Sequence, residues 1–163
     1  MTRILEKMKD NKKIIITFFL ICIFFYYLIW TISQPFNSCP DEEMKWDICK
    51  YIYENNRLPH GEDEAIRNPI WGISYGFQPI LTYIISAVFM KFICIFTTHQ
   101  FALVVAARLV STISMTLVIY FTIKISQKLF KEIYKYLFIL FIAFQPITAF
   151  LASYINNDST ALL

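Results

Sequence analysis

The sequence contains only three glycines, all between residues 61 and 76, and four cysteines with no CxxC pair and no paired histidine. That spacing argues against a zinc site. There is no Walker loop, no GxGxxG run and no Ser-His-Asp order, so nucleotide-sugar and hydrolase chemistry lack support. Charged residues are sparse at 17%, and the basic ones stand in short groups between apolar runs without forming a patch. Nucleic acid is set aside as a partner on that ground. What abounds is apolar surface: 57% hydrophobic residues, 18% aromatic residues and a mean hydropathy of +0.51. A chain of this composition prefers lipid as its solvent. The expected fold class is an all-α integral membrane protein, a transmembrane helix bundle with juxtamembrane helices in its first outer loop.

Residues 14–32 run nineteen positions without a charge, which at 1.5 Å per residue matches a hydrocarbon core of about 30 Å. The run ends in bulky Tyr26, Tyr27, Leu28, Ile29 and Trp30, so it reads as an uncleaved anchor whose basic flank (Arg3, Lys7, Lys9, Lys12, Lys13) stays cytoplasmic. Residues 33–77 carry eight acids against four bases and form the expected outer loop. Its first half predicts a helix, with Ser38 as cap, Pro40 in the first turn and Pro59 as stop. Met44, Ile48, Tyr51 and Ile52 then share one face, which would lie along the membrane surface. Residues 59–78 hold the glycines together with Pro59 and Pro69, and are expected to form an irregular loop.

Three apolar runs follow, at 78–96, 101–123 and 136–155. Between the last two, four lysines and one acid at residues 124–135 predict a cytoplasmic segment. That parity holds if 14–32, 101–123 and 136–155 span, the last kinked at Gln145-Pro146, while 78–96 is a re-entrant or interfacial helix. Asn157-Asp158 then emerges on the same outer face as Asp41 and Glu42. The alternative, simple spanning by every run, separates them. No polar tail follows Asp158, so the chain is expected to be the N-terminal part of a longer protein.

The candidate chemistry lies at the boundary between apolar run and water. Asp41 and Glu42 fall in the first turn of the expected helix, whose dipole favours negative charge. Their competing role is to cap that helix. Arg108 sits inside an apolar run, where a charge costs about 2.5–3.5 kcal/mol if central. It could meet a phosphate or Asp41, or form a buried ion pair with no chemical consequence. Asp158 is either a second acid of the site or the N-cap of a further helix. Cys39 and Cys49 could pair or stand as two free thiols. His60 with Glu62, Asp63 and Glu64 only loosely resembles a hard-cation cluster, so no metal is assigned. Trp46, Trp71 and Tyr75 could stack on sugar rings or simply favour the interface.

In order, Pro40-Asp41-Glu42 after an anchor, Leu58-Pro59, Gln78-Pro79-Ile80-Leu81-Thr82-Tyr83, Arg108-Leu109-Val110-Ser111, Lys128-Leu129-Phe130 and Asn157-Asp158 resemble the N-terminal half of GT-C membrane glycosyltransferases. That class includes protein O-mannosyltransferases and aminoarabinose transferases. Gln78-Pro79 stands where that family commonly has a Pro-Pro pair. The resemblance implies an inverting transfer of a sugar from a polyprenyl-phosphate donor to an acceptor on the extracytoplasmic face of the plasma membrane. It implies Asp41 as catalytic base assisted by Glu42, with Arg108 and Asp158 binding substrate and no cofactor. Membrane lipid and the polyprenyl-phosphate-linked sugar are the expected partners, and the oligomeric state is open. The alternatives are a non-catalytic transport or flippase component, or a truncated inactive fragment.

Overall fold

The computed structural model describes the backbone of residues 2–60 and 62–163, and the side chains of residue 11 onward except residue 61. The basic side chains expected at Arg3, Lys7 and Lys9, and Gly61, lie outside the described residues. The chain is helical: α1 (Thr2–Ser33), α2 (Glu42–Asn55), α3 (Leu81–Cys94), α4 (Gln100–Leu129), α5 (Tyr134–Ala143), α6 (Pro146–Ala152) and the single turn α7 (Asp158–Ala161). Two 3-10 turns, Glu64–Ile66 and Tyr75–Phe77, punctuate the loop between α2 and α3.

Two helices, α1 from Asn11 onward and α4, are long and apolar enough to cross a membrane, and a third such unit exists if α5 and α6 count as one. Those two helices meet at a bend of 49°. The bend follows from Pro146, which has no N–H to offer the carbonyl of Ile142 one turn earlier. Thr148 Oγ1 donates to that carbonyl at 2.8 Å instead, and the buried Tyr27 hydroxyl of α1 donates to the Ala143 carbonyl at 2.9 Å. α3 has 14 residues, about 21 Å, and falls short of a hydrocarbon core of about 30 Å. α4 runs on through Lys124 and Lys128, so much of the lysine-rich segment is helix and the turn itself is confined to residues 130–133.

α4 threads two cores. Met115, Ile119 and Ile123 pack with Ile23 and Tyr27 of α1 and with Ile139 and Ala143 of α5. Nearer the start of α4, Leu103, Val104 and Ala107 pack with Ile48 and Ile52 of α2 and Met90 of α3. Small residues let α3 and α4 approach closely enough for Ser86 Oγ to donate to the Ala107 carbonyl at 2.9 Å. The apolar face expected of α2 is present, with Met44, Ile48, Tyr51 and Ile52 all buried. Its partner is protein, since the Ile48 and Ile52 side belongs to the same core as α3, and a membrane surface is not needed to cover it. Cys39 and Cys49 are free thiols, both buried. Cys49 faces Ser86 inside this core, where burial pushes its thiol far above the usual range.

The Tyr27 bond yields a test. Tyr27→Phe keeps the ring but strands the buried Ala143 carbonyl, at a cost of about 1–3 kcal/mol. In detergent its melting temperature is expected to fall by several degrees (about 2–4 °C per kcal/mol). An unchanged melting curve would mean that the carbonyl finds another donor.

Candidate functional site

Arg108 is 1% exposed and Glu42 fully buried, and together they join five segments of the chain. Nε of Arg108 donates to Glu42 Oε1 at 2.7 Å and Nη2 donates to Oε2 at 2.8 Å, a bidentate pair. Nη1 reaches the carbonyls of Thr31 at 2.9 Å and Gln34 at 2.7 Å, and Nη2 also reaches that of Pro35 at 3.2 Å. The Thr31 carbonyl needs this help because its helical partner would be Pro35, which has no N–H. The carboxylate accepts two further bonds, from the backbone N–H of Asn37 at 3.0 Å and of Ile155 at 3.2 Å. All five guanidinium donors are thus committed within the chain.

Of the readings open to Arg108, the buried ion pair is the one formed: it pairs with Glu42, not Asp41, and has no donor left for a substrate phosphate. Glu42, the residue after Asp41, has both oxygens engaged and no exposed surface. The Ser38 cap is also not formed: Ser38 Oγ donates to the Pro35 carbonyl at 2.7 Å, while α2 starts at Glu42 with Asp41 at the cap position and no side-chain capping bond.

Asp41 itself is exposed and holds a left-handed backbone conformation, φ 56° and ψ 20°. Asp tolerates that region better than most residues. Its Oδ2 accepts a 2.6 Å bond from the hydroxyl of Tyr75, carried in by the 3-10 turn before α3. That carboxylate holds the Tyr75 hydroxyl above its usual range. One helical turn after Asp41, Lys45 is 6% exposed. Its Nζ donates to the Pro40 carbonyl at 3.1 Å and lies over the rings of Tyr75 and Tyr154, 5.4 and 5.2 Å from their centroids. Burial pulls the ammonium below its ordinary value, while Asp41 first and then Asp158 act to hold it up.

Asp158 follows Tyr154, whose ring covers the Lys45 ammonium, by four residues. It is exposed at the start of α7, and the capping-type bond there comes from Asn156, whose Oδ1 accepts from the Ser159 N–H at 2.8 Å. Among the described residues, two buried hydroxyls have no hydrogen-bond partner, those of Tyr83 and Ser159. Tyr83 is close enough to this cluster to feel the charge of Asp158 and the hydroxyls of Tyr75 and Tyr154. The arrangement gathers two exposed carboxylates, one caged ammonium and a buried hydroxyl that can still bond.

Other singled-out residues take different places. Trp46 is buried edge-on against Phe36, while Trp71 stands exposed on the 59–78 loop. Asp63 binds the backbone N–H of His60 at 3.0 Å and Arg57 at 3.3 Å, which lowers its carboxyl. Among the described residues no three His, Cys, Asp or Glu side chains gather as metal ligands. His99 accepts from the N–H of Phe101 through Nδ1 at 3.3 Å, capping α4. Sequence reasoning missed Lys45 and Tyr154. The one available signal was the placement of Lys45 four residues beyond Asp41 on a predicted helix.

No family model, curated protein or solved structure matches this chain. The reading of the site rests on its own residues.

Two outcomes check this geometry. Arg108→Met and Glu42→Gln each leave a buried partner uncompensated and are expected to lose about 3–5 kcal/mol of stability. The double variant Arg108→Met/Glu42→Gln is expected to lose much less than the sum of the two, in a thermal-melting double-mutant cycle. The second concerns Lys45, whose side-chain resonances are expected to titrate below the ordinary 10.5. Asp41→Asn and Asp158→Asn each remove a negative charge that favours the ammonium, so each is expected to lower that midpoint further. No response to Asp158→Asn would place Asp158 outside the cluster.

Proposed function

We propose that the chain belongs to a membrane glycosyltransferase, in which the Asp41–Tyr75–Lys45–Asp158 cluster handles a polyprenyl-phosphate-linked sugar at the extracytoplasmic face of the plasma membrane. The observation that carries this reading is that Asp41 accepts a 2.6 Å bond from Tyr75, whose ring, with that of Tyr154 four residues before Asp158, covers the buried Lys45 ammonium. Sugar transfer from a lipid phosphate needs a base at the acceptor hydroxyl, positive charge near the leaving phosphate and access for an apolar tail.

Asp41 is the base. The acceptor hydroxyl gives its proton to Asp41 Oδ as its oxygen attacks the anomeric carbon. The bond from that carbon to the phosphate oxygen breaks, and the lipid phosphate leaves with the electron pair, inverting the anomeric centre. Lys45 takes over the charge-balancing role expected of Arg108, and Asp158 accepts from sugar or acceptor hydroxyls. Tyr75 and Tyr154 supply ring faces, and the Tyr83 hydroxyl is available for one more polar contact. Ile70, Trp71 and Phe77, each more than 70% exposed, put apolar surface on the segment leading to Tyr75 and to α3. Such a patch favours contact with lipid. In this reading the N-terminus and the lysine-rich turn are cytoplasmic.

The test is Asp41→Asn in the full-length protein, assayed in membranes supplied with polyprenyl-phosphate sugars. Transfer is expected to fall by about 10²- to 10⁴-fold, the usual contribution of a general base, with membrane insertion intact. Transfer at the original rate would overturn the assignment of the base. Lipid-sugar binding with no transfer by the unaltered protein would favour a non-catalytic carrier component.

A further inference from the structure

At the opposite end of the two long apolar helices from Arg108, a cavity of about 520 Å³ opens between the N-terminal part of α1, the last turns of α4 and the start of α5. That volume is within the range of about 300–1,000 Å³ usual for small-molecule sites. Its lining is polarised along its length. On α1 the lining passes from Asn11 and Lys12 to Ile15, Ile16 and then Phe19, about 12 Å deeper at 1.5 Å per residue. On α4 it passes from Gln127 to Ile123, and on α5 from Lys135 to Ile139. All three helices therefore present polar groups at one end and apolar side chains one or two turns further in.

We propose that this cavity binds an anionic phospholipid, with its phosphate at Lys12 and Lys135 and an acyl chain along Ile16, Phe19 and Ile139. Charge decides the headgroup. Among the described residues the lining holds two lysines and no acid. Lys124, Lys128 and Lys131, against the single acid Glu132, add net positive charge at the same end of α4 and in the turn beyond it. Basic pockets between membrane helices favour anionic headgroups, whereas the choline of a zwitterionic lipid brings a cation towards the lysines. Lys135 lies over the ring of Tyr136, 4.9 Å from its centroid, which holds its ammonium at the mouth. Apolar side chains on the lipid-facing side, with Ile15 68% and Leu140 44% exposed, leave the cavity open to an acyl chain. This site is separate from the Asp41 cluster and does not depend on sugar transfer.

The test uses the full chain in neutral detergent, titrated with phosphatidylglycerol or phosphatidylcholine and read by native mass spectrometry and thermal shift. Phosphatidylglycerol is expected to bind more tightly and to raise the melting temperature further. Lys12→Gln/Lys135→Gln is expected to weaken its binding by about thirtyfold, with little change for phosphatidylcholine. Lys12 is exposed and Lys135 half-buried at the cavity mouth, outside the packed cores, so folding should survive, and Asp41→Asn is expected to leave lipid binding unchanged. Added salt is expected to erase most of the preference. Equal binding of the two lipids, an unaffected double variant, or a cavity closed by a second copy of the chain would each overturn the proposal.

Discussion

The structure depends on one buried ion pair. A carboxylate and a guanidinium removed from water are tolerable only when every donor and acceptor is matched, because the desolvation penalty otherwise exceeds their mutual attraction. Here the match is complete: the five donors of Arg108 meet Glu42 and three carbonyls, and Glu42 accepts two backbone N–H groups besides. The partners come from the end of α1, the following turn, the start of α2, the middle of α4 and the segment after α6. A single contact thus sets how the first loop sits on the helices, and with it the position of Asp41, the residue before Glu42.

Proline explains why so much polar traffic passes through the α1, α4 and α6 seam. Pro35 and Pro146 each deprive a carbonyl one turn earlier of its helical donor. Arg108 serves the first carbonyl, on Thr31, and Thr148 the second, on Ile142. Between them the Thr31 and Thr112 hydroxyls lie 2.8 Å apart and each is 3.1 Å from the Ala152 carbonyl, so that one donates to its neighbour and the other to that carbonyl. In an apolar surrounding each such carbonyl would be costly if left bare, so the helix breaks fix which helices must be neighbours.

The cluster above this seam has a different character. Asp41 is exposed and conformationally strained, Lys45 is caged by rings rather than paired by a direct salt bridge, and the Tyr83 hydroxyl lies buried without a partner. Backbone strain and unmatched polar groups persist where surrounding structure enforces them, and functional sites are where they gather. The contrast with the saturated Arg108 fork separates the group that supports from the groups that can act.

The all-helical class and the helices long and apolar enough to cross a membrane were legible in the sequence because hydropathy is a sum over neighbours along the chain. The buried face of α2 was legible from the spacing of Met44, Ile48, Tyr51 and Ile52, and the bend from Gln145-Pro146. The partner of Arg108 was not legible, since a charge inside an apolar run announces that it needs a partner without saying which of several acids supplies it. Nor was the cage around Lys45, whose two tyrosines come from a loop and from the far end of the chain. By itself the sequence determined which segments avoid water and which charges need an explanation. Only the tertiary structure decided which charges are mutually satisfied and which stay available, because hydrogen-bond saturation depends on distances between segments that no local pattern encodes.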